Sequence, residues 1–168
     1  VPYVQHRPAD LDYLRRFGED LIVELRALLS KDLPQYGVCH GDLHTGNARV
    51  NTAGELVLYD FDSFGYGWRA LDVGVYRVSY DWMDLSAACK VAKARFWEAF
   101  VEGYVAERSL SRDELAAVEL ALPIRHLELM GMTIRYWASH QGAHWISDAY
   151  FDQHVAWFQE WADGYRHR

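Results

Sequence analysis

The sequence has 168 residues, 51% of them hydrophobic, and a formal net charge of −7 at neutral pH. That length and apolar content supply one sizeable core, so a single domain over residues 1–168 is expected. Seven Trp, eleven Tyr and seven Phe exclude a disordered chain. The absence of any Lys/Arg-rich run removes the basic face that nucleic acid requires.

Cys39 and Cys89 form no disulfide framework, and a reducing, cytoplasmic setting is expected. No apolar run approaches the roughly 20 residues that span a bilayer, and no signal peptide is visible, so no membrane partner is expected.

Residues 8–30 read as an amphipathic helix, with Asp10 at its start and Leu11, Leu14, Leu21, Leu25, Leu28 and Leu29 near one face. Ser30 to Pro34 breaks it. Tyr36–Cys39 is a short extended run, and His40–Asn47 is a polar loop with two glycines. Ala48–Asn51 and Glu55–Tyr59 read as two short strands around the turn chemistry of Asn51-Thr52-Ala53-Gly54. Asp60–Arg69 reads as a Gly- and aromatic-rich loop.

The rest reads as helical. One helix runs from Asp72 to about Met83, and a second, capped by Ser86, runs through Ala106. Ser111-Arg112-Asp113-Glu114 is a capping box that opens a third. Pro123 suits the first turn of a fourth that ends near Gly142, and Ser147 or Asp148 opens a fifth. The expected class is α+β, mainly α, with a small β-hairpin.

The chemistry concentrates in His40-Gly41-Asp42-Leu43-His44-Thr45-Gly46-Asn47, which sets Asp and Asn in a D-x-x-x-x-N spacing on a loop. Phosphoryl transfer to a hydroxyl needs a carboxylate to orient and deprotonate the acceptor, and oxygen ligands for Mg²⁺. Asp42 suits the first task, and the neutral carbonyl oxygen of Asn47 suits the second. Leu58-Tyr59-Asp60-Phe61-Asp62 then delivers a carboxylate at the end of an apolar strand. Asp60 can bridge Mg²⁺ to the phosphates of ATP. Asp62, placed on the same side by strand alternation, is a further candidate for a second metal or for supporting the first.

The pairing of His40-Gly41-Asp42…Asn47 with Asp60-Phe61-Asp62 resembles the aminoglycoside phosphotransferase, choline kinase and homoserine kinase superfamily. Gly65-Tyr66-Gly67-Trp68-Arg69-Ala70-Leu71-Asp72-Val73-Gly74 is similar to the stretch that follows in that family. The resemblance implies a protein-kinase-like fold and the devices of the protein-kinase H-R-D-x-x-x-x-N and D-F-G motifs. It implies Asp42 as catalytic base, Asn47 and Asp60 as ligands of Mg²⁺ and of its ATP, and Asp72 as the anchor of the loop. His40 and His44 then support the loop or the substrate. The sequence lacks a Gly-rich phosphate loop ahead of a strand, and Lys31 does not read as a strand lysine. The resemblance therefore implies a C-terminal, catalytic lobe without its N-terminal ATP-binding lobe.

The expected activity is transfer of the γ-phosphoryl group of ATP to a hydroxyl of a small molecule. A Ser/Thr protein kinase of the same fold, a non-catalytic pseudokinase-like module and a metal-dependent hydrolase are the alternatives. An H-x-D-x-H stretch without Cys or a helical frame is poor zinc chemistry. An uncovered apolar cleft floor leads us to expect self-association as a two-fold dimer. Trp137, Trp145, Tyr150, Trp157, Trp161 and Tyr165, with Glu128 and Asp148, compose a cation cage on paper. The spacing of Tyr150, His154, Trp157, Trp161 and Tyr165 favours a helical core stripe instead. Lys90, Lys93 and Arg95 read as a solvated helix face.

Overall fold

The computed structural model describes residues 4–78, 87–137 and 146–167. The elements run α1 (Pro8–Leu28), β1 (Tyr36–Cys39), β2 (Ala48–Val50), β3 (Leu56–Leu58), β4 (Gly65–Trp68), α2 (Arg69–Val78), α3 (Ala87–Glu107), α4 (Arg112–Met132) and α5 (Asp148–Arg166). The class is α+β, mainly α, with small antiparallel sheets. The chain packs as two compact units, Leu25–Leu122, and Val1–Glu24 with Pro123–Arg168.

In the unit Leu25–Leu122, β2 and β3 form the expected hairpin, with Ala48 opposite Leu58 and Val50 opposite Leu56. Its turn is closed by the Asn51 side chain, whose oxygen accepts from the Ala53 and Glu55 N–H groups at 2.9 Å each. Gly54 takes φ +82° there, a left-handed conformation that glycine adopts without penalty. The segment Asp60–Arg69, expected as a loop, contains a strand. β4 pairs antiparallel with β1, Tyr36 opposite Trp68 and Cys39 opposite Gly65. Alternating glycines hid it, because Gly weakens a strand pattern. A Cβ at Gly37 would meet the Arg69 guanidinium, the far end of a flexible side chain that would have to shift.

β4 runs directly into α2, which buries Ala70, Val73, Gly74, Val75 and Val78. A Cβ on Gly74 would collide with the Ala121 methyl on α4, so this glycine sets how closely the two helices approach. The capping box at α4 forms as expected. Ser111 Oγ accepts from the Glu114 N–H at 3.1 Å, and the Glu114 carboxylate accepts from the Ser111 N–H at 3.0 Å. Burial would raise the Glu114 carboxyl, but the Ser111 N–H and the Arg108 guanidinium outweigh it and hold it below its ordinary value.

The expected third and fourth helices are one. α4 continues through Pro123, which lacks the N–H that would bond to the Glu119 carbonyl and costs a helix interior about 3 kcal/mol. Pro123 is fully buried, and its packing offsets that loss. The Ser86 cap, and the stretches expected to end helices at Met83 and Gly142, lie outside the described residues. On the face expected to be solvated Arg95 is exposed, whereas Lys93 is half-buried, and burial followed by repulsion from Arg77 lowers its pKa.

In the other unit, Ser147 caps α5 by accepting from the Tyr150 N–H. The buried stripe of α5 is Phe151, Val155, Phe158 and Ala162, one position over from the stripe expected at Tyr150, His154, Trp157, Trp161 and Tyr165. Those five are half-buried at its edge. The acids expected to serve a cation cage are already engaged. Glu128 pairs with Arg125 at 2.7 Å, and Asp148 with His6 at 2.7 Å and Arg7 at 3.1 Å. Phe17 of α1 packs on Phe158 and Trp161, with ring centroids 5.4 and 6.0 Å apart.

His126 is buried in this unit, its Nε2 2.6 Å from Nδ1 of His154 and its ring 4.2 Å from that of Trp157. Burial, then the neighbouring His154, pushes its pKa down from 6.5 to about 3. Burial also lowers that of His154. The unfolded chain therefore takes up a proton at His126 before the folded one does. The stability present above pH 6.5 declines progressively as pH falls toward about 3. Urea midpoints should drop between about pH 7 and about pH 5, and His126→Phe should make that drop shallower. An equal slope in the variant would remove His126 as its source.

Candidate active site

The loop His40–Asn47 leaves the end of β1 and enters β2. Its first two residues are held by one side chain. Asp72, in the first turn of α2, accepts the His40 N–H at 2.6 Å on one carboxylate oxygen and the Gly41 N–H at 2.8 Å on the other. Gly41 takes φ +81°, and a Cβ there would strike the Ser63 carbonyl oxygen. Glycine at this position is thus required on two counts, backbone conformation and close approach.

His40 is buried and ties the loop to the end of the hairpin. Its Nε2 donates to the Tyr59 carbonyl at 3.1 Å, its Nδ1 faces the Asp42 N–H at 3.4 Å, and its ring packs on Phe61 at 4.4 Å between centroids. With both ring nitrogens turned to the backbone, His40 is not placed as a metal ligand. Among the described residues no three His, Cys, Asp or Glu side chains gather at a metal-binding spacing.

A short 3₁₀ turn, Thr45–Asn47, follows, with His44 as its cap. Asn47 is buried, and its Nδ2 donates to the Asp42 carbonyl at 3.0 Å and lies 3.4 Å from Asp42 Oδ2. Both partners are acceptors, which fixes the amide with its nitrogen toward Asp42 and its oxygen the other way. His44 Nε2 lies 3.7 Å from the same Asp42 oxygen. The structure therefore brings Asp42, His44 and Asn47 together.

Asp60 follows a residue that the backbone ties to this loop. The ladder of β2 and β3 extends by one bond, from the Tyr59 N–H to the Asn47 carbonyl at 3.1 Å, and the Tyr59 hydroxyl donates to the Gly46 carbonyl. Asp60 is thus the residue after the one paired with Asn47. It is exposed and holds φ +64°, a left-handed conformation rare outside glycine. β3 ends at Leu58, so the strand alternation used to place Asp62 does not reach it. Asp62 sits exposed in the turn closed by the Phe64 N–H on the Phe61 carbonyl.

Several supports carried no sequence signal. The Pro34 carbonyl, just ahead of β1, accepts from Arg69 and from Arg108 at 2.9 Å each. Arg108 lies far along the chain, and nothing local marks it. Lys31 stands over the rings of Tyr36 and Trp68 at 5.9 and 5.8 Å, a surface cation–π contact.

The Asp72 geometry yields a test. A carboxylate accepting two backbone N–H groups is worth about 1–3 kcal/mol in such a site. Asp72→Asn exchanges one acceptor for a donor that faces an N–H, so melting should occur at a lower temperature. An unchanged melting temperature would show that these bonds do not hold the loop.

The profile of the phosphotransferase enzyme family matches residues 2–118. An uncharacterized protein of Deinococcus radiodurans is 32% identical over 129 residues, covering 76% of this chain and 36% of its own length. The amicoumacin kinase of Bacillus subtilis is 29% identical over 127 residues, covering 74% of this chain and 37% of its own. A solved structure, amicoumacin kinase hAmiN in complex with AMP-PNP, Ca²⁺ and Ami, superposes on 91% of this chain with a TM-score of 0.72 at 25% identity. That superposition takes in 46% of hAmiN, so the chain spans less than half the length of these relatives. It has the protein-kinase-like fold of hAmiN over that part, as a C-terminal lobe. The profile spans the whole stretch from His40 to Asp72, and the chain belongs to the phosphotransferase enzyme family.

Proposed function

We propose that the protein carrying this chain transfers the γ-phosphoryl group of ATP to a hydroxyl of a small molecule, with these residues as its catalytic lobe. The observation that carries the reading is the clamp of Asn47 on Asp42, inside a loop whose entry is pinned by Asp72. It presents a carboxylate next to a neutral oxygen donor, the pairing that phosphoryl transfer to a hydroxyl requires.

In this reading Asp42 orients the acceptor hydroxyl and takes its proton as the oxygen attacks. Asn47 through its amide oxygen and Asp60 through its carboxylate would hold a divalent cation, with Asp62 adjacent. Hard oxygen donors of this kind suit Mg²⁺, which takes few protein ligands and completes its shell from phosphate and water. A bound Mg²⁺ supplies neutralisation of charge at the phosphoryl oxygens. The complex of hAmiN with AMP-PNP and Ca²⁺ supports a nucleotide and a divalent cation here. The phosphate-covering loop and Lys of the family belong, in this reading, to the length of the relatives that this chain does not span. No helix among the described residues is long and apolar enough to cross a membrane. Use of ATP as phosphoryl donor is the ground on which we propose a cytoplasmic location.

In the full-length protein, Asp42→Ala should lower phosphoryl transfer by roughly 10²–10⁴-fold with little change in folding. Asp60→Asn should raise the Mg²⁺ concentration needed for half-maximal rate. Near-normal turnover by Asp42→Ala at saturating acceptor would remove it as the base.

The strands around this site carry exposed apolar side chains: Val50, Leu56, Val57 and Leu58 on the hairpin, Phe61 and Phe64 after it, and Val38 and Tyr66 on the other ladder. Water-exposed apolar groups on short, open-edged sheets favour pairing with another copy. We therefore propose that the 168-residue chain alone self-associates as a two-fold dimer through them and binds Mg-ATP weakly. Light scattering across a concentration series, with calorimetric titration of Mg-ATP, should show dimer growth and little heat of binding. A strict monomer with low-micromolar Mg-ATP affinity is the contrary result.

A further inference from the structure

His44 has a defined geometry that the proposed reaction does not yet use. The Gly46 N–H donates to His44 Nδ1 at 2.9 Å. An N–H can only donate, so Nδ1 must present its lone pair, and the neutral ring then carries its proton on Nε2. Gly46 makes this possible, because a Cβ there would occupy the space of the His44 ring atoms Cε1 and Nδ1. The backbone thereby selects one tautomer of the two.

The selected proton faces Asp42. Nε2 lies 3.7 Å from Asp42 Oδ2, the oxygen that Asn47 Nδ2 approaches to 3.4 Å. His44 and Asn47 are the cap and last residue of one 3₁₀ turn, and side chains at i and i+3 eclipse in that geometry. Two donors from one turn thus converge on one carboxylate oxygen. The His44 separation exceeds a hydrogen bond. Catalytic hydrogen bonds are often long before substrate binds.

We propose that His44 is a positioning residue for Asp42: locked by Gly46 with its proton on Nε2, it directs that N–H at Asp42 Oδ2 and fixes the rotation of the carboxylate. The inference deepens the proposed phosphotransferase reading and rests on it for the role of Asp42.

Two variants separate the two nitrogens. His44→Asn keeps an acceptor for the Gly46 N–H and removes the distal donor. His44→Gln keeps an amide donor at the distal position and removes the acceptor. In the full-length protein, His44→Asn should melt near the wild type and lose about ten- to a hundredfold in kcat, with KM values little changed, because a misplaced reactive group costs that much. His44→Gln should melt lower and recover most of that kcat. Wild-type turnover by His44→Asn, or a loss of kcat that tracks melting temperature in both variants, overturns the proposal. A second readout needs no activity. Nitrogen-15 spectra of the 168-residue chain at neutral pH should show the Nε2–H tautomer at His44, with a resonance that moves in Asp42→Asn. The other tautomer, or a resonance indifferent to Asp42→Asn, also overturns it. Should the wild type transfer no phosphate while the spectra show the expected tautomer and shift, the reaction assignment fails and the contact stands.

Discussion

The grip of the Asp72 carboxylate on the His40 and Gly41 N–H groups is the contact on which the rest of the site depends. It is long-range, joining a helix start to a loop some thirty positions earlier in the chain. Everything downstream inherits its placement. His40 can reach the Tyr59 carbonyl only if its own backbone is held, and Asn47 can reach Asp42 only if the loop between them keeps its course. α2 is in turn held by the fit of Gly74 against Ala121 and by β4, which leads into it. The precision of two polar side chains is thus traceable in part to a close helix–helix approach at a glycine and an alanine, beside which Arg77 of α2 pairs with Glu119 of α4.

How much of this was legible beforehand follows from how far each signal extends along the chain. The loop and its hairpin are local patterns, and the structure has them within a few residues. The Ser111–Glu114 capping box is local too, and forms as read. β4 was hidden because Gly65 and Gly67 suppress strand character, while the ladder that makes it a strand is supplied by β1, distant in sequence. Pro123 misled for the opposite reason. A local rule, that proline opens helices, gave way to burial that the sequence does not display. The spacing on α5 was right and its phase was wrong by one residue. Period is read from residue types, but phase is decided by tertiary packing, and Phe17 on α1 touches a ring of each stripe, Phe158 and Trp161.

The two histidines of the loop show how one residue type serves two ends. His40 turns both nitrogens to the backbone and brackets the loop to the end of the hairpin. His44 spends one on the backbone and turns the other toward a carboxylate. In the sequence they stand symmetrically about Asp42 and invite reading as a metal-binding pair. Only the backbone partners distinguish them, and those partners belong to the neighbouring turn and to the end of the hairpin.

Asp60 carries a consequence of its own. Its left-handed backbone, φ +64°, is comfortable for glycine and tolerable for Asn and Asp, whose short polar chains hydrogen-bond locally. The proposed role of Asp60 in holding a hard cation would admit Asp, Glu or Asn. The two requirements overlap only at Asp and Asn, so selection on the fold and selection on the chemistry prune this position to nearly the same choice. A relative that had surrendered the chemistry while keeping the fold would be released from one filter and not the other. Glycine would be the residue to look for there, a mark of lost activity readable in the sequence alone.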